Sequence, residues 1–115
     1  MKITNPYASS PSEEIRLIVN VELKPDTDAQ FEKEMELALQ KNRAEDGNVS
    51  FEFFKVQGSV GKYFFVERWK NQAALDWHME QNYTRDLFDM FAKTLSYPLS
   101  DAHKHINFVT ELYPE

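Results

Sequence analysis

From Ile15 to Leu23 the chain alternates, with Ile15, Leu17, Val19, Val21 and Leu23 on one side and Arg16, Ile18, Asn20 and Glu22 on the other. That period of two predicts a first strand. Lys24-Pro25-Asp26 stop it, and Thr27 with Gln30 three residues later has the form of a capping box that opens a helix. The helix is expected to run to about Arg43, with Phe31, Met35, Ala38 and Leu39 along one stripe. Gly47 marks its exit, because glycine tolerates the left-handed conformation common just past a helix end. Asn48 to Gln57 then reads as a second strand, Val49, Phe51 and Phe53 facing one way and Phe54 and Val56 the other. The short loop Gly58-Ser59-Val60-Gly61 makes it a hairpin with the strand that follows.

The stretch from Lys62 to His78 organises the rest. Its aromatic and β-branched first half predicts a strand, and Asn71, placed just after Trp69 and Lys70, predicts the N-cap of a helix that begins with Ala73, Ala74 and Leu75. This helix is expected from about Gln72 through Gln81, with a break near Asn82 and a resumption from Thr84 to Leu95 that carries Leu87, Phe88, Phe91 and Leu95. Tyr97, Pro98 and Leu99 end it, and His105 to Tyr113 reads as a fourth strand.

The order β-α-β-β-α-β predicts an α+β, ferredoxin-like domain over residues 14–115, an antiparallel four-stranded sheet with its helices on one face. Residues 1–13, with Asn5, Pro6, Ser9, Ser10, Pro11 and Ser12, have the composition of a flexible N-terminal arm. Tyr63 to Val66 is apolar on both sides of its strand, and one layer of helices covers only one of them. The second face is most simply covered by another copy of the chain, so a homodimer forming a dimeric α+β barrel is expected.

Composition narrows the function. A length of 115 residues means one domain, and a formal net charge of -6 opposes a phosphate backbone, so nucleic acid is not an expected partner. The absence of cysteine removes disulfides, thiol catalysis and cysteine zinc sites. Met1 to Glu14 carry a single lysine and no apolar run, and no later stretch approaches a membrane span, so a cytoplasmic protein without a membrane partner is expected.

Three runs carry a resemblance: Leu23-Lys24-Pro25-Asp26 at the end of the first strand, Ala44-Glu45-Asp46-Gly47-Asn48 before the second, and Glu67-Arg68-Trp69-Lys70-Asn71-Gln72-Ala73-Ala74-Leu75-Asp76-Trp77-His78. Here the chain resembles the antibiotic biosynthesis monooxygenase domain family over about nine-tenths of its length, from Ile15 to Leu112. That family comprises small cofactor-free proteins that include quinol monooxygenases. The resemblance implies the fold above, no cofactor, and a small aromatic or quinol substrate oxidised with dioxygen. Two departures stand out. Many members carry a second histidine followed by an aromatic residue where this chain has Asn82-Tyr83-Thr84, and the proximal histidine of the haem-degrading branch has no counterpart between Tyr83 and Leu95.

Oxygenating a phenol without a cofactor requires a base, a dry aromatic pocket and donors for the developing anion. His78 is the first choice of base, poised near neutral pH and one turn after Ala74, whose small side chain leaves space beside the ring. A half-exposed helix histidine at a dimer edge is the alternative. Trp69, on the strand face of Phe65 and Glu67, is placed to wall a flat ring, with a core tryptophan as the alternative. Glu67 in an apolar strand must be paired or protonated, with Arg16, Arg68 or His78 as available partners. Asn20 offers a donor and an acceptor to a quinol oxygen, and Tyr83 a hydroxyl from the helix break. His103 and His105 fall on one side of an extended chain, too few for a metal site, and none is expected. The rival readings are an isomerase or binding protein for a small carbonyl metabolite in the same pocket, and a non-catalytic dimeric module.

Overall fold

The computed structural model describes residues 2–114. Four strands, β1 (Ile15–Glu22), β2 (Asn48–Lys55), β3 (Lys62–Trp69) and β4 (Ile106–Phe108), form one antiparallel sheet in the order β2-β3-β1-β4. Helix α1 (Asp28–Arg43) connects β1 to β2, and α2 (Gln72–Met79) and α3 (Asn82–Thr94) lie between β3 and β4. This is the expected α+β ferredoxin-like topology.

The inward residues of β1 and β3, Ile15, Leu17 and Val21 with Tyr63, Phe65 and Trp69, are buried against Phe31 and Met35 of α1 and Leu87 and Phe91 of α3. Phe31 sits among Phe53, Tyr63 and Phe91 at centroid distances of 5.7, 5.1 and 5.8 Å. Each such fully buried aromatic or aliphatic side chain contributes about 1.5–3 kcal/mol. The opposite face carries Ile18, Phe54, Phe64 and Val66 around Asn20, and Phe54 stacks on Phe64 at 5.0 Å. Phe54 is 40% exposed, so an apolar surface lies open on the side that no helix covers.

β3 occupies the first half of the Lys62–His78 stretch, as expected, and Asn71 caps α2 by accepting the Ala74 N–H at 2.9 Å. Other expectations are corrected. Thr27 precedes α1 but its side chain makes no cap bond; its hydroxyl donates to the Lys24 carbonyl at 2.8 Å. Val49 is exposed because β2 bulges between Asn48 and Ser50, an extra residue that faces it away from the core. Gly47 has no positive φ; a Cβ there would stand 2.4 Å from the Ala74 Cβ, so this glycine is required by the close approach of α2. Gly58 and Gly61, at φ 78 and 74, supply the left-handed turns of the hairpin loop.

The fourth strand spans three residues, because a 3-10 helix occupies Leu99–His105 and the chain past Phe108 leaves the sheet. His103 and His105 therefore do not lie along an extended chain, and the His105 ring instead stacks on Tyr97 at 3.6 Å. In the N-terminal arm, Gln72 Nε2 donates to the Ile3 carbonyl at 2.7 Å and the Asn5 N–H donates to Gln72 Oε1 at 3.1 Å. Nothing in the composition of residues 1–13 foreshadows these contacts.

Candidate functional site

Under the helices, between the inner sheet face and α3, lies a largely apolar cavity of about 50 Å³. Phe51 and Phe65 of the sheet and Leu87, Phe88, Phe91 and Leu95 of the α3 stripe form much of its wall. Four polar residues face this chamber: Asn42, Glu67, His78 and Thr84. All four are buried, with Asn42 and Thr84 each 1% exposed.

His78 occupies the last turn of α2. Its Nδ1 lies 2.6 Å from Glu45 Oε2, and the same carboxylate oxygen accepts the Tyr83 hydroxyl at 2.6 Å. The Trp69 indole stacks on the imidazole with centroids 4.5 Å apart. Burial pushes the His78 pKa down, and the Glu45 carboxylate opposes that shift without overcoming it, so the ring is neutral near pH 7. A neutral imidazole that donates from Nδ1 to a carboxylate presents Nε2 as its basic atom. Burial and the neighbouring Glu45 carboxylate raise the Tyr83 hydroxyl pKa, so this residue stays a protonated donor.

Glu67 stands between Leu17 and Phe51 on the adjacent strands, in surroundings that offer no cation. Its candidate partners are engaged elsewhere: Arg16 with Glu111 at 3.4 Å, Arg68 with Glu14 at 2.6 Å, and His78 with Glu45. The one side-chain bond to Glu67 comes from Trp69 Nε1, 3.0 Å from Oε1. Burial raises its pKa to about 7, the nearby Glu45 charge adds to the shift and the Trp69 bond opposes it. Glu67 is therefore protonated for a large share of molecules at neutral pH, and a protonated carboxyl is a donor.

The predicted site residues divide. His78, Glu67 and Phe65 meet at the cavity. Trp69 is fully buried behind them, one face against His78 and its N–H on Glu67, so it orients those two groups and does not wall the chamber. Tyr83 reaches Glu45 and lies outside the cavity wall, in the cleft between α1 and α3. Asn20 is exposed on the opposite sheet face, paired with Phe64, because even-numbered residues of β1 point away from the helices. Ala74 packs against Gly47 and does not line the chamber. Among the described residues no group of three or more His, Cys, Asp or Glu is placed to hold a metal ion.

Sequence reasoning missed Glu45, Asn42 and Thr84. Glu45 lies 33 residues from His78, and no local pattern links them. Asn42 and Thr84 did leave a signal: each continues a buried helix stripe, Phe31-Met35-Ala38-Asn42 on α1 and Thr84-Leu87-Phe91 on α3. A polar residue in such a register either finds a partner or faces a cavity.

An open antiparallel sheet with helices on one face, enclosing an apolar chamber with a carboxylate-held histidine, defines the class of domain. The chain belongs to the antibiotic biosynthesis monooxygenase family, whose model matches residues 14–89. Among its relatives, YcnE of Bacillus subtilis is 29% identical over 79 residues, covering 69% of this chain and 83% of that protein. The Synechocystis protein sll1783 is 28% identical over 79 residues, 69% of this chain and 54% of its own length, so the match spans about half of that relative. The crystal structure of PA3566 from Pseudomonas aeruginosa (TM-score 0.76, 18% identity, 90% of this chain and 99% of that one) and the structure of Rv0793 from Mycobacterium tuberculosis (TM-score 0.76, 19% identity, 89% and 98%) share the fold. No helix among the described residues is long and apolar enough to cross a membrane.

Proposed function

We propose that this chain is a cofactor-independent monooxygenase that oxidises a small aromatic or quinol substrate with dioxygen, with His78 as the base. The observation that carries the reading is the His78–Glu45 pair at 2.6 Å on the wall of an apolar cavity. Holding Nδ1–H on a carboxylate fixes the tautomer, frees Nε2 toward substrate, and stabilises the imidazolium once a proton has been taken.

The chemistry then follows from the substrate's own electrons. His78 Nε2 takes the phenolic proton, and the resulting phenolate passes one electron to dioxygen, giving an aryloxyl radical and superoxide. These combine at a ring carbon that bears hydrogen, para to the oxygen in a simple phenol and ortho to it in a para-quinol, and the peroxide so formed takes the proton back from His78. Loss of that carbon's hydrogen as a proton and cleavage of the O–O bond release water and leave a second carbonyl. A phenol and one dioxygen thus give a quinone and one water, and a quinol gives a hydroxyquinone and water. The apolar walls from Phe51, Phe65 and Phe91 keep bulk water from quenching the radical pair.

We further propose that two chains pair through the open sheet face. Ile18, Phe54, Phe64 and Val66 give it an apolar centre, and Arg16, Arg68, Glu52 and Lys62 a charged rim, the layout of an isologous interface. Asn20 would then lie in the contact between subunits. The test of the catalytic reading is oxygen uptake with reduced quinols, measured for the wild type and for His78→Ala. Uptake that matches quinol consumption and collapses in the variant supports it, and equal rates in the two proteins refute it.

A further inference from the structure

Two side chains in the cavity wall have polar atoms with no partner among the described residues. Asn42 Nδ2 and Thr84 Oγ1 are each buried without a hydrogen-bond partner among the described residues. Thr94, on the same helix as Thr84, shows the ordinary solution: its hydroxyl donates to the Met90 carbonyl four residues back at 3.0 Å. Thr84 sits in the first turn of α3, where the residue four back, Glu80, precedes the helix and offers no such acceptor. Buried amides and hydroxyls without partners are rare and costly, and here both stand on the wall of one cavity.

Resting on the reading of this chamber as a substrate site, we propose that Asn42 and Thr84 bind the substrate's oxygen, and that the site selects a neutral, single-ring aromatic bearing a hydroxyl or carbonyl group. Asn42 supplies an amide donor from α1 and Thr84 a hydroxyl from α3, so a ligand oxygen between them bridges the two helices. At about 50 Å³ the chamber is smaller than the roughly 150 Å³ cavity that holds benzene, so even a one-ring ligand enters only as the walls give way, and larger ligands are disfavoured further. The Glu45 carboxylate behind His78 is the nearby negative group, and no lysine or arginine lines the chamber, which disfavours carboxylate or phosphate ligands.

The test separates binding from turnover. p-Xylene, p-cresol and 4-methylbenzoate share a para-methyl ring and differ in the fourth group, near-isosteric in the first two and larger and anionic in the third, and the para methyl of p-cresol blocks formation of a para-quinone. Their affinities are measured by calorimetry under nitrogen for the wild type, Asn42→Leu and Thr84→Val. Preference for p-cresol over p-xylene in the wild type by about tenfold, falling several-fold in each variant with p-xylene binding retained, supports the proposal. Both variants should also melt at or above the wild-type temperature, because each removes an unpaired buried polar group. Equal binding of p-cresol and p-xylene, tighter binding of 4-methylbenzoate, no binding of any of the three, or an unchanged ratio in both variants would overturn it. If p-cresol binds as described while quinols consume no oxygen, the oxygenase reading fails and this one stands. Oxygen uptake without p-cresol preference gives the converse.

Discussion

Glu45 Oε2 lies 2.6 Å from His78 Nδ1 and also accepts the Tyr83 hydroxyl at 2.6 Å, so one buried carboxylate ties the exit of α1 to both α2 and α3. It fixes the imidazole and at the same time adds a polar tie from the end of α1 to the α2–α3 pair. Replacing it tests both roles. Glu45→Ala leaves a buried Tyr83 hydroxyl and an imidazole N–H without acceptors, and stability to urea should fall by about 3 kcal/mol. Glu45→Gln keeps an acceptor but removes the charge that stabilises the imidazolium. Its quinol-dependent oxygen uptake should drop about tenfold or more with a smaller loss of stability.

Glu67 gives the protein a defined pH dependence. Its folded pKa is about 7, above the ordinary carboxylate value of 4.5. Below 4.5 the group is protonated whether folded or not, so its environment carries no penalty. As pH rises from 4.5 through 7 the unfolded chain ionises first, and the folded state loses stability, by about 3 kcal/mol in total. Comparing melting temperatures of the wild type and Glu67→Gln from pH 5 to 8 isolates this contribution. The variant should be progressively the more stable of the two as pH rises, with the gap levelling off above pH 7.

His78 acts in the opposite sense. Burial depresses its pKa below 6.5, so the stability it contributes is present above that value and is lost as pH falls through the folded pKa. Acidification below 6.5 should therefore destabilise the wild type more than His78→Gln, as followed by urea midpoints between pH 7 and 5.

The seam between Gly47 and α2 admits no added atom. In Gly47→Ala a new Cβ would meet the Ala74 Cβ at 2.4 Å and its Cα at 3.3 Å. The strand exit and helix must separate, at a cost of about 1–3 kcal/mol by chemical denaturation. Ala74→Gly in the same chain should restore part of the loss, which a purely conformational role for Gly47 would not allow.

How much of this was legible in the sequence varies with the distance between the residues concerned. Lys62 to His78 could be read almost residue by residue, because strand alternation, a capping Asn and a helix stripe are all local signals. The even-numbered face of β1 was equally readable, and its parity puts Asn20 opposite the inward Trp69 and Glu67. What local pattern cannot carry is partnership across the fold. Trp69 as the donor to Glu67, Glu45 as the holder of His78 and Ala74 as the neighbour of Gly47 all depend on how α1 and α2 lie against β3. The short β4 was misjudged for another reason: apolar residues such as Leu112 and Tyr113 alternate without being buried, at 77% and 90% exposure.

The open sheet face makes its own prediction. Phe54→Glu, at the stacked Phe54–Phe64 pair, adds a charge to the centre of the proposed interface without touching the helices or the cavity. Light scattering should give the mass of two chains for the wild type and of one for the variant, whose thermal unfolding should become independent of protein concentration. A wild-type mass of one chain contradicts the pairing.

Oxygen consumption by the metal-free protein with a panel of reduced benzoquinols, set against a protein-free control, tests the central claim most directly. One dioxygen should be consumed per quinol, the product should be heavier by one oxygen than the corresponding quinone, and the rate should fall roughly 100-fold in His78→Ala. Uptake no faster than the protein-free control, or undiminished in His78→Ala, would contradict it.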